Sequence, residues 1–241
     1  MEKKVTIRDI DDSQQRAARI AGFLYLITMA ISVFAHYFVR GRLIVRGDAL
    51  QTARNISSAE RLFRVGVACD LVMIAGVVML VWALYVVLKP VQRNVALLAM
   101  LWRLVAECSL VAVTTVSSFA VLALLGGADY LRALDPRQLP ALAYALLRVH
   151  GAGFDIAFIF LGLGSALFSY LWFKSRYIPR WLAALGVFSS SAMFVVTLAL
   201  LLFPGLESAL SMVYMAPMGF YEVALGFWLL IRGIRAPKTT T

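Results

Sequence analysis

Charge is what this sequence has least of. Only 15% of its 241 residues are Asp, Glu, Lys or Arg, where a soluble domain carries about a quarter. Apolar residues reach 62%, which excludes an ordinary soluble domain and places the chain in the membrane class. Cysteine is limited to Cys69 and Cys108 and histidine to His36 and His150. Neither type recurs at a zinc-ligand spacing, so no metal is expected and the cysteines read as small buried hydrophobes. No lysine lies within an apolar run to form a Schiff base, no Gly-x-Ser-x-Gly nucleophile motif is present, and no cofactor is expected. The first 19 residues carry Asp9, Asp11 and Asp12 among their basic residues, and no small-residue cleavage site follows, so the first apolar run reads as an uncleaved helix. There is no internal repeat.

What is present is a series of long apolar runs. A spanning helix needs roughly 20 mainly apolar residues. Six stretches qualify: Ile20 to Val39, Phe63 to Leu88, Val95 to Leu125, Pro140 to Phe173, Trp181 to Phe203 and Leu210 to Ile231. The expected fold is therefore all-α, a polytopic transmembrane bundle of six spans. It divides into a cytoplasmic segment 1–19, a single transmembrane domain 20–233 and a cytoplasmic tail 234–241. The third and fourth runs exceed the minimum length, and residues 126–139 are expected to close them as a hairpin. With the N-terminus inside, 13 Lys and Arg fall on the cytoplasmic side and 8 on the outer side, the bias that basic residues show in short cytoplasmic loops. The first outer loop, with six Arg, runs against that bias. The net charge of +10 comes mostly from these connections. It points to anionic lipid head groups as partners of a bilayer-embedded chain, and not to nucleic acid.

The first outer loop has a pattern of its own. Asp48 and Gln51 have the spacing of a capping box. Ala49, Ala53, Ile56, Ala59 and Phe63 then recur on one helical face, opposite Gln51, Arg54, Asn55, Ser58 and Arg61. The pattern predicts a short amphipathic helix lying at the outer interface.

Polar groups within the runs carry the functional question, because a charge at mid-bilayer costs roughly 2.5–3.5 kcal/mol on insertion scales. The candidate polar centre comprises Asp70, Arg103, Glu107, Arg148, His150, Asp155 and Glu222. At helical spacing Arg103, Glu107, Thr114 and Ser118 share one face, and Tyr144, Arg148, Gly151, Asp155, Gly162, Ala166 and Ser169 share another, with His150 turned away from it. Arg103 and Glu107 stand one turn apart and can pair within their own helix, a purely structural role. Four acids then face two Arg, and two negative charges are left over in a low-dielectric interior. They must be protonated, paired with a histidine cation, or neutralised by a bound cation.

Several short motifs resemble an uncharacterised bacterial multi-pass membrane family, domain of unknown function 4386. They are Ala18-Arg19-Ile20-Ala21-Gly22, Gly47-Asp48-Ala49 through Asn55-Ile56, Glu60-Arg61-Leu62-Phe63-Arg64, Asp70-Leu71, Leu88-Lys89-Pro90-Val91, Arg103-Leu104-Val105-Ala106-Glu107, His150 with Gly153-Phe154-Asp155-Ile156, Gly162-Leu163 and Tyr170-Leu171. The resemblance covers nearly all of residues 18–233. It implies a bacterial plasma-membrane protein and no activity. Relatives often carry a His after the Gly-Leu pair, where this chain has Gly164.

Three function classes stay open on the sequence. They are a small transporter or channel-like protein binding a proton or cation at buried acids, an intramembrane enzyme acting on a lipid or isoprenoid, and a non-catalytic assembly or stress factor. The topology is testable directly. In a cysteine-free background, Val91→Cys is expected to be shielded from impermeant reagents in intact cells and Leu134→Cys to react. The opposite pattern reverses the orientation.

Overall fold

The computed structural model describes residues 10–127, 135–203, 205 and 207–236. The first nine residues, the hairpin segment 128–134, Pro204, Leu206 and residues 237–241 of the expected tail lie outside the described residues. The described residues form helices joined by turns and irregular segments, with no strand among them.

α1 runs Asp12–Leu43, starting well before Ile20. Hydropathy marks only where a helix enters apolar surroundings, whereas the start is set by a cap. Asp11 accepts from the backbone amide of Gln14 at 2.7 Å and from the Ser13 hydroxyl at 2.8 Å. The Gln14 amide foremost, then the hydroxyl, hold this carboxyl below the usual carboxylate range. α2 is Ala49–Ser58 and α3 is Glu60–Leu88, the latter stopping where Pro90 removes a backbone donor. α4 is Arg93–Leu125, α5 Leu139–Ser175 and α6 Arg180–Leu202. α7, Glu207–Ile231, carries Pro217 inside it. Two helices widen locally into π-helical turns, Phe34–Arg40 in α1 and Trp102–Cys108 in α4.

Five of these helices (α1, α3, α4, α5 and α6) are long and apolar enough to cross a membrane. The apolar stretch of the sixth, Met215–Ile231, is shorter. Their outward faces are apolar: Val113 is 69% exposed, Phe188 65% and Ile231 68%. Contiguous apolar surface of that kind is what lipid covers.

The chain forms two compact units, and α1, α3, α4 and α5 contribute to both. The first comprises Met1–Met29, Gly76–Cys108 and Ala157–Thr241. Small residues bring its helices almost into backbone contact. A Cβ on Gly22 of α1 would lie 2.5 Å from the Leu230 amide nitrogen of α7, and one on Gly162 of α5 would lie 2.8 Å from that of Phe194 in α6. Close approach over small residues is how helices associate where lipid offers no hydrophobic drive. The second unit comprises Ala30–Ala75 and Ser109–Ile156, and Val39, Leu43, Ile56, Phe63, Val67, Val121, Leu122, Ala143 and Leu147 form its apolar core.

That second core corrects the reading of the first loop. The amphipathic helix forms, and Asp48 caps it by accepting from the Gln51 amide at 2.8 Å. The reciprocal half of the box is missing, because the Gln51 side chain turns to Asn55. The apolar face of α2 packs on its own unit, with Ile56 buried among Val39, Leu43 and Phe63. The periodicity was sound, but burial against protein and burial against lipid leave the same pattern.

Gly22→Ala is expected to destabilise the first unit by about 1–3 kcal/mol, the usual cost of overpacking. Gly151→Ala, where a Cβ meets nothing within 4 Å, is the neutral control. Thermal unfolding of the two variants in detergent checks the contrast.

Candidate functional site

In the first unit one buried arginine organises the polar groups. Arg103 stands on the π-helical turn of α4 and is 2% exposed. It forms an ion pair with Glu107 one turn along, and its Nη2 also donates to Glu107 Oε1 at 3.3 Å. Nη1 donates to the Ser165 hydroxyl of α5 at 2.8 Å. The neighbouring Gly164 makes room: a Cβ there would lie 2.7 Å from Arg103 Cγ. The room at position 164 is thus taken in this chain by the arginine's own aliphatic stem. A larger residue at 164 and Arg103 in this pose exclude each other.

α7 brings the second acid. Glu222 lies within the electrostatic reach of Arg103 and Glu107, and among the described residues no ion pair joins it to a cation of its own. Beside it Tyr221 is buried, with its hydroxyl 2.9 Å from the Ser169 hydroxyl of α5. Gly186 of α6 lets that ring in, since a Cβ there would lie 2.4 Å from Tyr221 Cζ. Tyr25 of α1, also buried, feels Tyr221, Arg103, Glu222 and Glu107. The centre therefore holds one buried guanidinium, two partly buried carboxyls and the hydroxyls of Ser165, Ser169, Tyr25 and Tyr221.

In the second unit Asp70 of α3 is buried and forms an ion pair with Arg40, on the π-helical turn of α1. His150 of α5 has Nε2 3.5 Å from Asp70 Oδ2. Its Nδ1 lies 3.1 Å from the Thr114 carbonyl and 3.4 Å from the Ser118 hydroxyl, both on α4. The Arg40 guanidinium stands 5.9 Å from the Phe154 ring centroid.

These positions revise the sequence-derived centre. Arg103, Glu107 and Glu222 come together in one unit, Asp70 and His150 in the other. Arg148, Gly151 and Asp155 of the expected stripe are exposed, whereas Gly162 and Ser169 of the same stripe are buried. His150, expected to point away, is the buried one at 4% exposure. Arg40 was missed altogether, because it sits at the end of its apolar run and counts as a loop residue. With Asp70 matched by Arg40, the surplus narrows to one negative charge, in the centre around Arg103.

Three comparisons bear on this chain. A family model described as "Domain of unknown function (DUF4386)" matches residues 20–233. A relative from Archaeoglobus fulgidus, known only as an uncharacterized protein, is 31% identical over 155 residues, which cover 63% of this chain and 73% of that one. No solved structure matches.

Arg103→Gln is expected to destabilise the protein by about 3–5 kcal/mol, because it leaves buried carboxylate unmatched. Ser165→Ala is expected to cost about 1.5–3 kcal/mol, the worth of a hydrogen bond to a charged group. Denaturant unfolding in micelles ranks the two, and equal small losses would remove Arg103 from the centre of the account.

Proposed function

The chain belongs to the DUF4386 family, and we propose that it is a small membrane transporter or channel-like protein whose buried acids bind a proton or a monovalent cation. The observation that carries this reading is the count of charges around Arg103. One guanidinium pairs with Glu107 and lies within electrostatic reach of Glu222, and a low-dielectric site disfavours keeping both acids ionised with a single cation. Glu107, in direct contact with Arg103, is the carboxylate. Glu222 is the acid left to hold a proton, or to exchange it for a small cation. Tyr221, Ser169 and Tyr25 supply hydroxyl oxygens that can solvate such an ion or relay a proton.

The same reading fixes the finer topology. Six spans cross the bilayer, with α7 as the sixth, and 20–233 act as one transmembrane domain. Both ends are cytoplasmic, as the 13-to-8 distribution of Lys and Arg favours. The membrane is the plasma membrane of a bacterium, and its anionic head groups meet the basic connections. α2 lies across the outer end at the interface, its apolar face on the protein and Arg54 toward the head groups.

A second reading has one observation behind it. The contacts of Arg103 with Glu107 and Ser165 are tightly packed and tie α4 to α5, as a non-catalytic assembly factor would need for fixed register. The two readings separate in liposomes containing a pH-sensitive dye. With the purified protein, an imposed Na⁺ or K⁺ gradient is expected to drive proton movement, and Glu222→Gln to abolish it while the fold persists. Movement equal to that of protein-free vesicles, or unchanged in Glu222→Gln, would reject the transport reading and leave the structural one.

A further inference from the structure

In the second unit, we propose that His150 is a proton-binding site, with the proton held on Nε2 between the imidazole and the Asp70 carboxylate. The inference does not rest on the reading of the Arg103 centre.

The geometry of the ring decides it. A backbone carbonyl can only accept a hydrogen bond, so Nδ1, 3.1 Å from the Thr114 carbonyl, is the nitrogen that carries hydrogen in the neutral ring. Gly153 of α5 allows this approach, since a Cβ there would lie 2.0 Å from Thr114 Cγ2. Neutral His150 then presents a bare lone pair at Nε2 to Asp70 Oδ2, 3.5 Å away. Both atoms are acceptors. Nε2 is fully buried and makes no hydrogen bond. A buried nitrogen facing a carboxylate with nothing between them is an uncompensated polar contact. One added proton resolves it, because both ring nitrogens then donate to acceptors already in place.

The change is balanced simply. A proton from solvent forms the Nε2–H bond, Asp70 stays a carboxylate and Arg40 stays a guanidinium. The cluster's charge rises from zero to plus one. The charged groups that bear on His150 include Asp70 on α3 and Arg40 on α1. α4 contributes only the Thr114 carbonyl and the Ser118 hydroxyl. Burial foremost, then Arg40, opposes the added charge, but the Arg40 side chain is 19% exposed, so part of its field is screened. Proton uptake links α5 to α3 through Nε2 while Nδ1 keeps its hold on α4.

The chain's two histidines make the test clean. His36→Gln removes the exposed one, and imidazole-¹⁵N spectra of the full chain in lipid nanodiscs then report His150 alone. The expected result is an imidazolium that forms as pH falls from about 8 to 5, with hydrogen on both nitrogens. In Asp70→Asn the same form is expected only at a pH about one unit or more lower, since the facing negative charge is gone. If that variant, which strands Arg40, fails to fold, Arg40→Gln with Asp70→Asn removes the pair without an orphan charge and is expected to make the imidazolium harder to form than Arg40→Gln alone. A ring that stays neutral across this range in the otherwise native chain overturns the proposal. So does a titration that loss of the Asp70 carboxylate leaves unmoved.

Discussion

The structure of the first unit depends on a single buried guanidinium that two carboxyls must share. An arginine removed from water is tolerated only when its charge and its donors are met, and each neighbour of Arg103 follows from that demand. Glu107 meets the charge. Ser165 takes a donor that Glu107 cannot reach. Gly164 gives up its side chain so that the stem can lie against α5. The π-helical turn Trp102–Cys108 places the guanidinium, and such turns within α-helices are frequent at functional sites. Glu222 is the group that the same charge leaves only partly satisfied. A rigid frame and one unsatisfied acid belong together, because the frame prevents the helices from relaxing to bury that acid better.

The second unit solves a similar problem with different residues. Again an arginine on a π-helical turn, Arg40, meets a buried carboxylate, Asp70. Here the charges cancel, and the open position is on the neutral imidazole beside them. In both units the group that can change its protonation sits next to an ion pair and not within it. A titrating member of a buried pair would break the pair each time it changed state, at a cost of several kcal/mol. A titrating neighbour changes state while the pair keeps the helices in place.

Much of the fold was legible in the sequence because the bilayer leaves few options: long apolar runs must be helices whose backbone groups satisfy themselves. The stops at Leu88 and Leu125 were visible in Lys89-Pro90 and in Gly126-Gly127. The start of α1 was not, because Asp11 lies among polar residues that hydropathy does not resolve. The Arg103–Glu107 pair was legible because it is local. The partnership of Arg40 with Asp70 was not, because it joins two helices and one partner looks like a loop residue. α5 was misread for another reason. Among its buried positions, Ala143, Leu147, His150, Ala157, Leu161, Gly164, Phe168 and Leu171 recur at steps of three, four and seven, the spacing of a packed helix seam. The polar residues Arg148 and Asp155 are spaced by the same period but lie off the seam. Gly162 and Ser169 of the inferred stripe turn inward while Arg148 and Asp155 do not; which positions turn inward depends on the neighbouring helices, and no single helix encodes that.

The central claim is that Arg103 holds one carboxylate and leaves Glu222 neutral, and infrared spectroscopy of the carboxyl bands reads it most directly. At neutral pH, without added cation, the wild-type protein should show the carbonyl band of a protonated, buried carboxylic acid that is absent from Glu222→Gln. A spectrum holding only carboxylate bands, unchanged but for the loss of one carboxylate in Glu222→Gln, would contradict the account.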